Sequence, residues 1–270
     1  MNNLFELLQG KKGDADYKKK PVIVQGITGK FGSLHTKLMV GYGTNIVAGV
    51  TPGKGGQKFE VIPIYETMNE ALKATGAKIS IIFVPAKFFL GAAVDALEAG
   101  IKLLVAIPEH VPIRDTMTVL ELEKKKDAIM IGPNTPGIMI PEVIKIGIMP
   151  ASSFRAGDIA VLSKSGTLMY EVSHNLTEAG FGQCITLGIG GDPINGTTLI
   201  DAFDMVKDNP ELKGIVVVGE IGGDAEETLA QHVIDSNFEK PIVAYCRPRC
   251  PKRKKNGSCR GYSLWKLWFC

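Results

Sequence analysis

No run of eighteen or more apolar residues occurs in this sequence, so no membrane-spanning helix is expected. The opening stretch, Met1 to Lys20, lacks an apolar core followed by small residues. It also carries Glu6, Asp14 and Asp16 among its lysines, which speaks against a secretory signal and against an Arg-rich, acid-poor transit peptide. The cytoplasm is therefore the default location, or the matrix of a mitochondrion or related organelle in a eukaryote. Tryptophan and cysteine are scarce, and both Trp and four of the five Cys fall within residues 246–270. Those cysteines, at 246, 250, 259 and 270, include no C-x-x-C pair, so a zinc site is disfavoured and no metal ligand is assigned. The same 25 residues hold no Asp or Glu beside eight Lys and Arg. The other 245 residues carry 23 basic against 28 acidic side chains, a net −5, although the whole chain sums to +3. A mildly acidic body gives nucleic-acid binding no support.

What is present reads as an α/β protein. At 270 residues the chain fits two domains, each able to bury a core, and 45% hydrophobic with 22% charged residues shows no disordered bias. Apolar, β-branched runs suggest strands at Pro21–Gln25, Asn45–Val50, Ile79–Val84, Leu103–Ala106, Ile129–Ile131, Ile159–Leu162, Cys184–Gly188, Gly214–Val218 and Pro241–Tyr245. Several are unbroken hydrophobic segments, as strands covered on both faces require. Amphipathic segments at Thr67–Thr75, Gly91–Ala99, Met117–Lys125, Tyr170–Ala179, Thr198–Lys207 and Ala225–Ser236 alternate with them, which predicts parallel sheets with right-handed crossovers. A Gly- and Pro-rich stretch from Gly132 to Ala156 reads as a loop and as the domain boundary.

Four segments at strand ends can carry chemistry. Gly26-Ile-Thr-Gly29-Lys-Phe-Gly32 follows the first strand and opens a helix, where glycines let the backbone turn and helix N–H groups face a phosphate. The alternative is a turn that only packs helix on strand. The second strand runs into Thr51-Pro-Gly-Lys54-Gly-Gly56, with no carboxylate of the kind that holds the ribose of NAD. Lys54 suits a phosphorylated ribose instead, which matches coenzyme A better than NAD and leaves NADP open; a merely solvated loop lysine is the plain alternative. Ser163-Lys-Ser165-Gly166-Thr167-Leu-Met-Tyr170-Glu171 again follows a strand and opens a helix, either as an anion cradle or as an ordinary Ser cap. Val218-Gly-Glu220-Ile-Gly-Gly223 ends a further strand, and Glu220 there either orients an imidazole or caps the next helix.

Together with Ile-Gly-Pro-Asn-Thr-Pro-Gly (131–137) and Gly-Ile-Gly-Gly-Asp-Pro (188–193), these segments resemble the α subunit of succinyl-CoA synthetases, the succinate–CoA ligases, continuously from about Lys20 to Tyr245. The resemblance implies a Rossmann-like coenzyme-A-binding domain at 21–148 and a flavodoxin-like ligase domain at 149–245, incomplete here. Residues 1–20 are expected to form an N-terminal extension and 246–270 an aberrant, poorly ordered tail. It implies coenzyme A contacts at Thr28, Gly29, Lys30, Phe31, Lys54, Ile107, Pro108 and Glu109. It further implies phosphate binding at Ser165, Gly166 and Thr167, substrate near Tyr170, and support of a phosphohistidine by Glu220. A partner β subunit with an ATP-grasp domain would bind the Mg-nucleotide, with succinate, succinyl-CoA and phosphate as the small-molecule partners.

The family's phosphohistidine sits in a Gly-His-Ala-Gly segment shortly after the strand that matches Pro241–Tyr245. Here His35, His110, His174 and His232 all lie in other settings. With synonymous codons chosen for the purpose, a nucleotide string encoding residues 246–270 reads one base on as a stretch containing Met-Gly-His-Ala-Gly. The histidine codon straddles Ser258 and Cys259. The tail is therefore expected to be an out-of-frame reading, and the chain inactive as a ligase. The competing functions are a non-catalytic coenzyme-A-binding or regulatory module and an NADP oxidoreductase.

Overall fold

The computed structural model describes residues 4–245, other than Lys12, Asp16 and Ile221. The expectations placed on 246–270 lie outside the described residues.

Two sheets account for the architecture. In the first, β1 (Val22–Gln25), β2 (Ile46–Val50), β4 (Ile62–Tyr65), β5 (Ile79–Ile82), β6 (Leu103–Ala106) and β7 (Ile129–Ile131) are parallel in the order β4-β2-β1-β5-β6-β7. A two-residue β3 (Lys58–Phe59) is antiparallel on the β4 edge. This is the doubly wound Rossmann order, which leaves a crevice where the winding reverses beside β1. Helices α2 (Lys30–Tyr42), α3 (Met68–Thr75), α4 (Phe89–Ala99) and α5 (Ile113–Lys126) are its crossovers. Their ends follow local chemistry: Thr67 caps α3 by accepting the Glu70 N–H, while Gly43, Gly76 and Gly100 close α2, α3 and α4 in the left-handed region.

The second sheet runs β13-β12-β10-β11-β8-β9. Its parallel part, β10 (Ala156–Ser163), β11 (Gln183–Gly188), β12 (Gly214–Val218) and β13 (Ile242–Tyr245), has the order of the first four strands of a flavodoxin-like sheet. Its crossovers are α6 (Gly166–Glu178), α7 (Leu199–Val206) and α8 (Ala225–Asp235).

All nine strands expected from apolar runs are present. The Gly132–Ala156 stretch differs from expectation, because it is not only a loop. It holds β8 (Gly137–Ile140) and β9 (Ile144–Gly147), a hairpin that extends the second sheet antiparallel to β11. Residues 137–147, which the sequence placed before the boundary, thus hydrogen-bond into the later sheet. The hairpin closes tightly, since a Cβ on Gly137 would stand 2.1 Å from the Ile146 carbonyl oxygen. A helix in the N-terminal extension, α1 (Leu4–Gln9), was also not anticipated. Leu4 and Leu8 are buried, joining an apolar cluster that runs through Val105 and Ile131 to Ile138 and Ile185 and so spans both sheets. Burying two leucines stabilises by roughly 1.5–3 kcal/mol each.

Candidate functional site

The turn after β1 is fixed at both rims. Gly26 donates to the Val50 carbonyl (3.0 Å), Phe83 donates to Gln25 (3.0 Å), and Gly26 sits at φ +78°. Ile27 folds under β2 into space that only a glycine leaves, since a Cβ on Gly49 would lie 2.4 Å from it. Gly29 then takes the N-cap position of α2, and among the described residues no side chain caps this end. The first-turn N–H groups of Lys30, Phe31 and Gly32 therefore point out of the helix without the partners that a capping side chain supplies. A purely packing turn accounts for Gly32, while the uncapped donors leave this helix start open to an anion.

The loop carrying Lys54 is built differently. Thr28 Oγ1 and Thr51 Oγ1 meet at 3.5 Å, which links it to the β1 turn. A carboxylate that the sequence reading missed, Glu66 at the end of β4, accepts Gly53 N–H (2.7 Å) and Gly55 N–H (3.1 Å). These two bonds hold its pKa below the ordinary range. Thr51 donates to Tyr65, Lys54 to Thr51, Gly56 to Ile64 and Gln57 to Lys54. Each N–H from Thr51 to Gln57 thus has an internal acceptor, and the loop offers an anion the Lys54 ammonium rather than a backbone cradle.

A cleft of about 800 Å³ lies where the two sheets' loops face each other. Phe31, Ile107, Pro108 and Glu109 line it from one side, and Ser165, Gly166, Thr167, Tyr170 and Glu220 from the other. The structure thus brings nine of the thirteen expected site residues into one space. Thr28, Gly29, Lys30 and Lys54 lie outside that lining, on the adjoining turns. The phenol of Tyr170 is pushed up to about 12 by burial, so it faces the cleft as a neutral donor across ordinary pH.

Ser165 is the N-cap of α6 by position, with φ −99° and ψ 122°, but its hydroxyl makes no cap bond. Ser163 braces it instead, accepting the Ser165 N–H (3.1 Å) and donating to the Ser165 carbonyl (2.7 Å). The donors of Gly166 and Thr167 are left facing the cleft, which favours the anion-cradle reading over an ordinary Ser cap. Glu220 does not cap α8 with its side chain. Its own N–H donates to Glu226 (3.0 Å), and its carboxylate lies beside Gly191, from whose Cβ position it would be 3.9 Å.

The four histidines occupy separate settings. His35 is buried on α2, stacked on Phe83 and edge-on to Phe31 at 4.5 Å, with burial and then Lys145 lowering its pKa. His232 on α8 is bound to Asp204 (3.0 Å), His174 is exposed on α6, and His110 lies in the loop after Glu109 at φ +59°. Sequence reasoning assigned no role to Val84–Ala86 after β5, Asn134–Pro136 or Lys164, which also line the cleft. The signal was weak but real, because each lies just beyond the C-terminal end of a strand, where such sheets bind ligands. Asn134, at φ +56°, joins the two halves: its N–H donates to Pro108 (2.8 Å), its carbonyl accepts from Gly191 (3.2 Å) and its amide donates to Asp192 (2.9 Å).

Comparison with known proteins agrees with this layout. Residues 17–110 match the model of the CoA binding domain and residues 162–248 that of CoA-ligase. The chain is 49% identical over 230 residues to the α subunit of ADP-forming succinate–CoA ligase from Aquifex aeolicus, covering 84% of this chain and 75% of that one. It is 46% identical over 228 residues to the same subunit from Staphylococcus epidermidis, with the same coverage. Among solved structures, ATP citrate lyase from Methanothrix soehngenii in complex with citrate and coenzyme A is 26% identical, with a TM-score of 0.74. That match covers 84% of this chain but 40% of the lyase chain. With a CoA binding domain followed by a CoA-ligase match and a relative at nearly half identity over most of its length, the chain belongs to the family of succinate–CoA ligase α subunits.

Proposed function

We propose that the chain is a coenzyme-A-binding ligase subunit whose cleft holds the thiol end of coenzyme A next to a phosphate. The observation that carries this reading is one cleft lined by Phe31 from the first turn of α2 and by Ser165, Gly166 and Thr167 at the start of α6, two helices of different sheets whose N-termini both lack a side-chain cap. Their partial positive charges suit two anionic groups at once. The turn at Thr28, Gly29, Lys30 and Phe31 takes the pyrophosphate, and Lys54 takes the ribose phosphate. Ile107, Pro108 and Glu109 flank the pantetheine arm as it enters. Ser165, Gly166 and Thr167 take phosphate, Tyr170 lies by the acyl group, and Glu220 is placed to support a phosphorylated imidazole.

The reaction is the reversible conversion of succinyl-CoA, phosphate and a nucleoside diphosphate into succinate, coenzyme A and the triphosphate. The phosphoryl group is relayed through a histidine, which divides one difficult transfer into two easier ones. A β subunit with an ATP-grasp domain supplies the Mg-nucleotide site. Glu220 lines the cleft and none of His35, His110, His174 or His232 does, so this chain is proposed to bind coenzyme A without turning over.

Calorimetric titration with coenzyme A and, separately, NADP tests the binding half. Saturable coenzyme A binding with none for NADP is expected, and the reverse order of affinity overturns it. Incubation with a competent β subunit and labelled nucleotide tests the other half, where label appearing on this chain would refute the predicted inactivity.

A further inference from the structure

We infer that Glu66 is a positioning residue for the Lys54 loop, a carboxylate bonded to the loop's backbone whose removal would weaken recognition of the ribose phosphate while leaving the rest of the ligand's contacts intact. The inference rests on the coenzyme A reading above and adds to it the residue that makes one lysine sufficient.

A single lysine on a glycine-rich loop is a poor anchor by itself, because both the four-carbon stem and the loop must be ordered when the ligand arrives. Thr51 to Gln57 contains three glycines, and Gly53 and Gly56 have φ of +77° and +81°. Such a segment gains order only from hydrogen bonds, and Glu66 supplies two of them, one on each side of Lys54. The approach is close: a Cβ on Gly55 would lie 3.1 Å from the Glu66 side chain, so the glycine and the carboxylate fit as a pair. Glu66 is itself set by the helix that follows, its N–H donating to Glu70 Oε2 (3.2 Å) while the Glu70 N–H donates to Thr67 (3.3 Å). The chain of support runs from the α3 cap through Glu70 and Glu66 to the two amides that flank Lys54.

The position of the carboxylate also separates this loop from a ribose-binding one. An acid that held ribose hydroxyls would turn its oxygens to the ligand, whereas both oxygens of Glu66 face backbone N–H groups. The two donors stabilise the ionised carboxylate, which keeps its negative charge but spends both oxygens on the loop's own backbone.

The test compares coenzyme A with 3′-dephospho-coenzyme A on the full chain and on Glu66→Ala and Glu66→Gln. The parent should prefer coenzyme A, and Lys54→Ala should abolish that preference. Glu66→Ala should lower the preference about three- to tenfold, the factor associated with ordering a flexible side chain and its loop on binding. Its affinity for the dephospho ligand should stay unchanged. Glu66→Gln, which keeps one acceptor, should fall between. A preference unchanged in Glu66→Ala, or raised because the carboxylate had merely repelled the phosphate, overturns the inference. Amide exchange in the ligand-free chain gives an independent reading. Exchange at Gly53 and Gly55 should accelerate in Glu66→Ala, and unaltered rates also overturn it. If the parent binds neither nucleotide, the coenzyme A reading fails, and the bracing by Glu66 stands or falls on the exchange rates alone.

Discussion

A Cβ placed on Gly32 would stand 2.2 Å from the carbonyl oxygen of Gly26, so the first turn of α2 rests directly on the turn that precedes it. No side-chain rotation relieves a contact between backbone atoms. Gly32→Ala must therefore shift the helix start, at about 1–3 kcal/mol of stability, the usual range for overpacking. The shift moves the same N–H donors that the pyrophosphate would use. Coenzyme A affinity should fall by more than tenfold, about 1.4 kcal/mol. Gly29→Ala meets only the Gly26 oxygen at 3.3 Å and should be milder on both measures. Thermal denaturation and calorimetry on the two variants check the ranking, and equal effects would show that close packing is not why Gly32 is there.

The strands and their order of appearance were legible because they are short, largely apolar runs rich in β-branched residues, several of them unbroken as a doubly covered parallel sheet demands. What escaped was short or contrary to type. β4 contains Pro63, which argues against a strand until its place near the sheet edge is known. β8 and β9 lie in a stretch whose glycines and prolines read as loop, yet Gly137 and Gly147 are what let the two strands close so tightly. The loop segments that contribute to the cleft were legible one at a time, from glycine spacing and strand ends. Their convergence was not, because it depends on how the second sheet packs on the first. Glu66 was invisible for a different reason, since its role comes from β4 lying beside β2 and not from any motif.

The helix caps give a paired prediction. Thr198 at α7 forms a reciprocal cap, its Oγ1 accepting Asp201 N–H (3.1 Å) while Asp201 accepts Thr198 N–H (2.9 Å). Thr198→Ala should cost about 1 kcal/mol. Ser165 holds the same position on α6 with no cap bond, so Ser165→Ala should change the unfolding free energy by less than about 0.5 kcal/mol. Denaturant titration of both distinguishes them. A loss at Ser165 equal to that at Thr198 would mean that its hydroxyl caps after all and that the amides of α6 are less open to phosphate.

Asn134 ties the β6 loop to the loop after β11 while its backbone holds φ +56°. Asn134→Ala loses the hydrogen bond to Asp192 and places a residue with less tolerance for that conformation there. A destabilisation of about 1–2 kcal/mol is expected from the two effects together. Asn134→Gly loses the same side-chain bond but not the conformational freedom, so it should be the less damaging change. If the two variants unfold at the same denaturant midpoint, backbone strain plays no part.

Glu123 supplies a pH dependence with a defined sign. It is buried on α5, accepts the Met130 N–H at 2.7 Å, and has its pKa raised to about 7 by burial first, with that hydrogen bond and Lys124 opposing and Asp201 adding. In the unfolded chain it releases its proton at an ordinary carboxylate value, near 4.3. Between those values the folded state binds more protons than the unfolded state, so stability falls as pH rises from about 4.3 to about 7. The full difference corresponds to roughly 3–4 kcal/mol. Glu123→Gln keeps an acceptor for Met130 and removes the charge. It should be more stable than the parent at pH 8 by up to that amount and indistinguishable from it near pH 4. Every other titrating group is common to the two proteins and cancels in the comparison. A stability gap that does not vary with pH would mean that Glu123 ionises freely where it stands, through solvent access or a cation that compensates its burial.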